Sequence, residues 1–452
     1  MYVNYIAIDK MSQYTRVEGL NLDRAVIIDP HPLHPDQILL TTSTRPGNNR
    51  ILAPIGIGLA LSLIGDTTLY TVLPNPEIAT QAGLSLAVVG AVLGLNRLIR
   101  LLTNGVFGVL YDRQPRRRMM LVGMLVGGVS TLMYALSQGP ALILIGRVIW
   151  GASWSAMWIG ANTIALDISD DSNRGRVTGR LQMWFYFAVA GSALVSGIFA
   201  DWLGYRGGLF LAAGLSVVGF LLWFFFLPET RSVRVTPTVA TPEAPPRLPF
   251  PWVYLLATSL PLFAMGFAFF GVINATNILW LAQFAGGGVR IGGMLLPLAT
   301  LSGAWMAVRV LLSTLGAPVT GALSDALHRR WGIMTITLLL ALVGMALMSL
   351  PEPSLALIGA VVISVMTGGI SALSSAIIGD RVGGQWYGRS LGLLYTLRDL
   401  GATVGPPVAL GLTALIGLKM VFQLTAGLIG VAALAALWMT IRERRSRQVQ
   451  AG

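Results

Sequence analysis

Gly108-Val-Leu-Tyr-Asp112-Arg113-Gln-Pro-Arg116-Arg117 is a short polar interruption between two long apolar runs, and it returns as Gly321-Ala-Leu-Ser-Asp325-Ala-Leu-His-Arg329-Arg330. The glycine, the aspartate and the paired arginines keep their spacing, and the two copies lie 213 residues apart. The same offset carries Asp167 onto Asp380, Gly175-Arg176-x-x-Gly179 onto Gly388-Arg389-x-x-Gly392, and Gly204 with Arg206 onto Gly417 with Lys419. One match carries little weight, but a single offset held through four connections means a duplicated unit. Around these connections, apolar runs fall near 52–74, 84–110, 119–137, 140–166, 178–200, 207–227, 252–280, 293–322, 332–350, 354–379, 391–415 and 417–440. Runs of roughly 20 residues suffice to cross a hydrocarbon core of about 30 Å. The expected fold class is an all-α membrane protein, with twelve transmembrane helices as two six-helix bundles related by the internal repeat.

Composition supports this. Only 11% of the 452 residues are charged and 54% are hydrophobic, against about 25% charged in a soluble protein. A water-facing surface of this size would be left uncovered. There are no cysteines, so disulfides and thiolate chemistry are absent. The two lysines, Lys10 and Lys419, follow Asp9 and Leu418, which excludes the Gly-Lys of a phosphate-binding Walker loop.

The net charge of +12 does not point to nucleic acid, because the basic residues are not gathered on one folded face. They alternate. Fourteen arginines occupy one set of connections, among them Arg113, Arg116, Arg117, Arg118, Arg176, Arg231, Arg329 and Arg330. Only Arg206, Arg290 and Lys419 occupy the other. Basic residues stay on the cytoplasmic side of a membrane, so both termini are expected in the cytoplasm of a multi-pass plasma (inner) membrane protein. The run Arg442–Arg447 agrees.

The domain organisation follows from these runs. Residues 1–50 are a polar stretch broken by Pro30, Pro32, Pro35 and Pro46. They lack the apolar core of a secretory signal and read as a cytoplasmic tail. Residues 51–230 are the first bundle, 231–250 a Pro/Thr-rich cytoplasmic linker, 251–441 the second bundle, and 442–452 a basic tail. Parallel repeats of this kind place a substrate site between the halves, near mid-membrane.

The connection after span two resembles the loop signature of the major facilitator superfamily, G-x-L-a-D-r-x-G-r-k, with Pro115 standing where the family usually has glycine. Gly146-Arg147-x-x-x-Gly151 in span four is similar to the intramembrane arginine motif of the proton-linked members, and Phe226-Leu227-Pro228-Glu229-Thr230 also resembles the family. The resemblance covers about residues 51–441 and implies a secondary transporter working by alternating access. Family antiporters usually carry Gly-Pro in span five, where this chain has Gly191-Ser192-Ala193; span eleven holds Gly405-Pro406-Pro407 instead.

The loop signature has a physical reading. Asp112 ends its helix where the macrodipole disfavours an anion, so it belongs opposite the positive start of another helix or beside arginines. Gly108, Asp112, Arg113, Arg116, Asp325 and Arg329 are therefore the candidate cytoplasmic gate, latching the halves together when the outer side opens. A solvated turn whose arginines only set topology is the plainer alternative.

Charges within the spans are the sharper signal. Asp66, Arg97, Arg100, Arg147 and Arg309 fall inside apolar runs, where each costs about 2.5–3.5 kcal/mol if it faces lipid. They are expected to face a cavity or one another. Asn96, Arg100, Asn104 and Gly108 recur every fourth residue and form one polar stripe. Asp66 and Arg147 lie at similar depth and are expected to pair. A carboxyl beside a guanidinium releases its proton readily and one isolated in a dry cavity keeps it, so Asp66 is the candidate proton carrier and Arg147 its modulator. A static ion pair tying two helices is the alternative.

Four arginines against one carboxylate favour an anionic substrate, unless Arg97, Arg100 and Arg309 are spent on backbone carbonyls and asparagine side chains. The candidate substrate cavity comprises Arg97, Arg100, Asn104, Arg309, Asn274, Asn277 and Trp154, with Asn274 and Asn277 near the outer end of span seven. The function expected is proton-coupled export of a small organic molecule by a protein acting as a monomer. Its partners are that substrate, with an organic anion among the candidates, together with protons and the lipid bilayer. Proton-coupled uptake of an organic anion, or a non-transporting membrane sensor or scaffold, are the other readings. Enzyme chemistry is not expected, because His31, His34 and His328 all lie outside the spans. No cofactor or metal is called for.

Overall fold

The structure is a computed structural model in which residues 48–169, 173–231, 252–381 and 384–451 are described. The proposed tail before residue 48 and the linker over 232–250 lie outside the described residues. Helices dominate: α1 (Asn48–Thr71), a short α2 (Pro76–Gln81), α3 (Leu86–Arg113), α4 (Arg116–Leu136), α5 (Pro140–Asp167) and α6 (Arg174–Phe226) form the first half. The second half begins with α7 (Trp252–Met265), which passes through a π-helical segment, Gly266–Ile273, into α8 (Asn274–Ala285). It continues with α9 (Leu298–Leu327), α10 (Arg330–Met348), α11 (Pro353–Arg381) and α12 (Gly384–Ala451).

Local chemistry accounts for the starts. Asn75 accepts a hydrogen bond from the Glu77 amide at 3.0 Å with Pro76 in the first turn of α2, and Ser85 caps α3; such caps satisfy amides that have no partner within the helix. Ten of the described helical stretches are long and apolar enough to cross a membrane. Two of those are far too long for one crossing. At 1.5 Å per residue, the 53 residues of α6 would run about 80 Å, more than twice the hydrocarbon thickness.

Each of the two turns back at a glycine. Gly204 (φ 73°, ψ 167°) breaks α6 and Gly417 (φ 79°, ψ 158°) breaks α12. A side chain is strained at such angles and glycine is not. These are the glycines related by the 213-residue offset, so the repeat read from the sequence recurs as one backbone conformation. The breaks divide α6 and α12 into two legs apiece, as the expected arrangement of spans requires.

Three features depart from the expectation. Gly288–Ile291 and Met294–Pro297 form a two-stranded antiparallel hairpin, whose turn residues Gly292 and Gly293 both have positive φ, as a tight hairpin turn demands. Span seven is not a plain α-helix but carries the π-helical segment. A Cβ on Gly266 would stand 2.0 Å from the Arg398 carbonyl oxygen, and one on Gly271 2.7 Å from the Gly405 Cα, so this segment lies directly against α12. Finally, α12 continues to Ala451 through the basic residues expected to form a tail, since Arg442–Gln450 contain no glycine or proline to stop it.

Each half has its own apolar core, but the first core also takes in Ala275, Ala299, Met306 and Leu410 from the second half. The halves meet along two seams, α3 against α12 and α6 against α9. Gly90 and Gly94 bring α3 onto Pro406 and Thr403, and Gly197 and Gly303 bring α6 and α9 together backbone to backbone. All of these contacts lie toward the end opposite the arginine-rich connections. The described hydrogen bonds between halves lie there too. Asp201 accepts from both the amide and the hydroxyl of Thr300 at 2.6 Å, and the Ser302 hydroxyl donates to the Thr71 carbonyl at 2.8 Å. At the arginine-rich end, Gly105, Gly108 and Gly179 of one half and Gly321 and Gly392 of the other meet nothing within 4 Å. Among the described residues, the close contacts between bundles are gathered at the end opposite the arginines.

Asp201 seats a negative charge on the first turn of α9, where free amides and the helix dipole favour it. Asp201→Ala should cost the closed arrangement about 1–2 kcal/mol, a five- to thirtyfold shift in favour of opening. With no native cysteine to interfere, spin labels at Gln81→Cys and Leu415→Cys report the separation at this end. An unchanged distance distribution in the Asp201→Ala background would show that Asp201 holds nothing closed.

Candidate functional site

The expected pairing of Asp66 and Arg147 is present. Arg147 is fully buried on α5; its Nη1 donates to Asp66 on α1 and its Nε donates to the Val92 carbonyl of α3 at 2.9 Å. One side chain thus ties three helices of the first bundle. The rings of Tyr70 and Tyr134 lie 5.7 and 5.8 Å from the guanidinium, a distance at which ring and cation attract. Their hydroxyls donate to the carbonyls of Leu93 and Gly146, which fixes both rings. Arg147 Nη2 has no acceptor.

Arg97 and Arg100 face the other bundle. Their guanidiniums stand 4.0 and 3.8 Å from the carboxylate of Asp399 on α12, which also accepts from its neighbour Arg398 at 3.2 Å. The sequence reading missed Arg398 and Asp399. The signal was available, because two charges inside the apolar run 391–415 incur the same penalty as the others. The count of four arginines against one carboxylate is therefore corrected to five against two. The excess of three is unchanged, but its distribution is now visible: Arg147 is neutralised by Asp66, while three arginines share Asp399 at the seam between α3 and α12.

Arg309 is also buried. It donates to Asn274 Oδ1 at 3.0 Å and lies over Phe269, with Nε and Nη1 lacking acceptors. Asn277 donates to the carbonyl and hydroxyl of Ser302, and Ser302 in turn holds Thr71 of the other bundle. These asparagines do not end a helix, since α8 runs on to Ala285; Asn277 is part of the closed seam. Trp154 is buried between Trp150 and Trp158, stacked on the latter at 6.0 Å, with the Arg100 guanidinium 5.7 Å from its ring. Asn104 is half-buried on the stripe of α3.

At the arginine-rich end, the loop residues bind within their own bundles. Arg116 is buried, and its Nε donates to Asp167 at 3.1 Å while its amide donates to Glu229; Thr230 donates to the same aspartate. Glu229 and Thr230, just beyond the end of α6, thereby clamp the connection. Asp112 and Arg113 are exposed, and their carbonyls accept from Arg231. In the second bundle Asp325 pairs with Arg330, which donates to Asp380 at 2.9 Å. Arg330, not Arg329, takes the part of Arg116, and the reason lies in the turn. Pro115 caps α4 at φ −60°, the value its ring imposes, so Arg116 is the first helical residue. Its counterpart His328 turns through the left-handed region (φ 50°, ψ 35°) and Arg329 becomes the cap, so Arg330 is first. A cleft of about 490 Å³ opens beside the Asp325–Arg330–Asp380 group, but it lies within one bundle and away from the charges at the seam.

The family model for the Major Facilitator Superfamily matches residues 55–308 and again 298–452. The chain belongs to that superfamily. This transporter is 24% identical over 365 residues to the multidrug resistance protein MdtG of Salmonella choleraesuis (strain SC-B67), covering 79% of this chain and 86% of that one. It is 27% identical over 184 residues to the class B tetracycline resistance protein of Escherichia coli, spanning 41% of this chain and 43% of that protein. Among solved structures, a bacterial homolog of the human lysosomal transporter Spinster, in an inward-facing and unoccupied conformation, superposes with a TM-score of 0.72 at 16% identity. The match covers 88% of this chain and 98% of that one. The protein is a multi-pass membrane transporter and not an enzyme.

Arg147→Gln should leave Asp66 buried without a counter-charge, at a cost of about 3–5 kcal/mol. Thermal melting of the purified protein should show a lowered midpoint, partly restored in the Asp66→Asn, Arg147→Gln double variant. Losses that simply add would mean the two side chains do not depend on each other.

Proposed function

We propose that this protein exports a small organic molecule in exchange for protons, from the bacterial inner membrane, with both termini in the cytoplasm. The buried Asp66–Arg147 pair carries the reading. It is a buried carboxylate–guanidinium couple within the membrane-spanning part of one bundle, and it touches α3, the helix that lines the seam with the other half. A movement of α3 relative to α5 alters the bond to the Val92 carbonyl and with it the partner of Asp66. Bringing a carboxyl next to a guanidinium or taking it away changes its hold on a proton, so the conformational cycle and proton binding are linked. The resistance functions in the names of the two relatives favour export.

With the arginine-rich end in the cytoplasm, the parted end of the bundles opens inward and the Asp201–Thr300 seam closes the outside. In the opposite state, Asp112 at the end of α3 is suited to meet the start of α12, as Asp201 now meets the start of α9. One carboxylate at each end, each seated on a helix N-terminus of the other bundle in one state only, gives a latch to both states. Uptake of an organic anion with protons is the second reading, favoured by the arginines around Asp399.

The test uses inside-out vesicles with a respiration-driven pH gradient and a reporting dye, a panel of cationic drugs and organic anions, and the Asp66→Asn form. Collapse of the gradient by one compound class, lost in Asp66→Asn at equal protein level, is the expected result. No response to any compound with protein present would overturn proton-coupled export. In the same assay Asp112→Asn should slow transport severalfold without loss of protein; an unchanged rate would remove the cytoplasmic latch.

A further inference from the structure

We propose that Arg97, Arg100 and Arg398 form the binding site for the acidic group of an aromatic organic anion, and that Asp399 is a resident counter-ion which that group displaces. This rests on the transporter reading above and names the substrate class, independently of the direction of transport.

The first support is a mismatch of charge. Three guanidiniums surround one carboxylate at a seam between two bundles, leaving an excess of two positive charges where solvation is poor. Two other buried arginines, Arg147 and Arg116, are each matched by one carboxylate, whereas Arg309 meets the Asn274 side chain. Arg147 bonds Asp66 directly, and Arg116 reaches Asp167 at 3.1 Å with both side chains nearly inaccessible. The three arginines are half-buried, and excess charge drawn out of water is costly and is retained where it has a task.

The second support is loose geometry. Among the described residues, Asp399 accepts hydrogen bonds only from Arg398, its neighbour in sequence. Arg97 and Arg100 stand off at 4.0 and 3.8 Å, beyond hydrogen-bond reach, and the Nε of each is buried without an acceptor. A guanidinium fork is built to hold a carboxylate or phosphate through two parallel bonds, and Asp399 meets neither fork that way. The two arginines come from the first bundle and Arg398 from the second, so an anion held by all three would bridge the halves.

The third support is what surrounds the charges. Phe270 lies 5.3 Å from the Arg97 guanidinium and 5.7 Å from that of Arg398, and Trp154 lies beneath Arg100. From Trp154 the aromatic surface continues through Trp158 to Phe185, whose ring centroid is 4.6 Å from that of Trp158. Both of these rings are only partly buried. An acidic group on the arginines would place an attached flat body against these rings. A cationic substrate would have to reach Asp399 past three like charges, which disfavours it.

The experiment is equilibrium binding by calorimetry to the purified full chain. The probes are 1-naphthoate, 1-naphthalenesulfonate and 1-naphthyl phosphate, with 1-naphthamide and 1-naphthylmethylammonium as neutral and cationic counterparts. At least one anion should bind tenfold or more tightly than the amide. Arg97→Gln with Arg100→Gln should weaken that anion by at least tenfold while leaving the amide unchanged; both changes reduce the charge excess and so leave no new unpaired group. Asp399→Asn should tighten it severalfold by removing the competing carboxylate. If that variant does not fold, Asp399→Glu, which reaches further into the forks, should weaken anion binding instead. Tighter binding of the ammonium compound, abolished by Asp399→Asn, would make this a cation site and overturn the proposal. Equal or absent binding of every anion relative to the amide would overturn it as well. Neither result touches the Asp66-dependent proton response in vesicles, which stands or falls separately.

Discussion

A charged side chain inside a hydrocarbon slab must find a partner or a polar cavity, and the arrangement of this protein answers that constraint in three ways. Arg147 is satisfied by Asp66 and a backbone carbonyl, so it links α1, α3 and α5. Arg309 finds only Asn274 and an aromatic ring. Arg97 and Arg100 find their counter-charge on the other bundle. The first interaction stiffens a half, and the last joins two halves that must move. Breaking a charge pair inside one bundle costs stability, whereas altering one between bundles alters which state is favoured.

The contacts between halves have a different character from those within them. At the closed end, small residues let backbones approach: Gly94 lies against Thr403, Gly197 against Ala299 and Gly303 against Ala193. Among the described residues, the hydrogen bonds across this seam include those of Asp201 with Thr300 and of Ser302 with Thr71. In lipid there is little hydrophobic force between helices, and close van der Waals packing supplies the attraction. A seam of that kind separates without uncovering large cores. The arginine-rich connections, by contrast, are held inside each bundle by Arg116–Asp167 and Arg330–Asp380. Each half therefore keeps its shape at the end where the two part company.

The duplicated unit has not been kept identical. The same ion pair is built twice from the first helical residue after a turn, yet Pro115 and His328 reach it by different backbone paths, and the partner slips from Arg116 to Arg330 in place of Arg329. The glycine turns at Gly204 and Gly417 match to within about ten degrees because only glycine tolerates them. Position 399 is an aspartate where the equivalent residue of span five is Tyr186. The halves thus share their scaffold and differ where chemistry is placed, which suits a device with one asymmetric site between two similar walls.

How much of this was legible without coordinates depends on the range of the interaction. Span length, the 213-residue offset, the alternation of arginines and the penalty for buried charge are local or statistical properties of the chain. They determined the membrane class, the repeat and the expectation that Asp66 and Arg147 pair, because both charges had to leave the lipid and lay at the same depth. The sequence could also have revealed Arg398 and Asp399, which obey the same rule. What it did not contain was rotation about each helix axis and the register between bundles. Only the tertiary structure decided that Arg97 and Arg100 point across the seam at Asp399, that Asn274 goes to Arg309, that Asn277 serves closure, and that Arg330 replaces Arg329. A one-residue shift turns a helical side chain by about 100 degrees, and packing between segments hundreds of residues apart selects the turn.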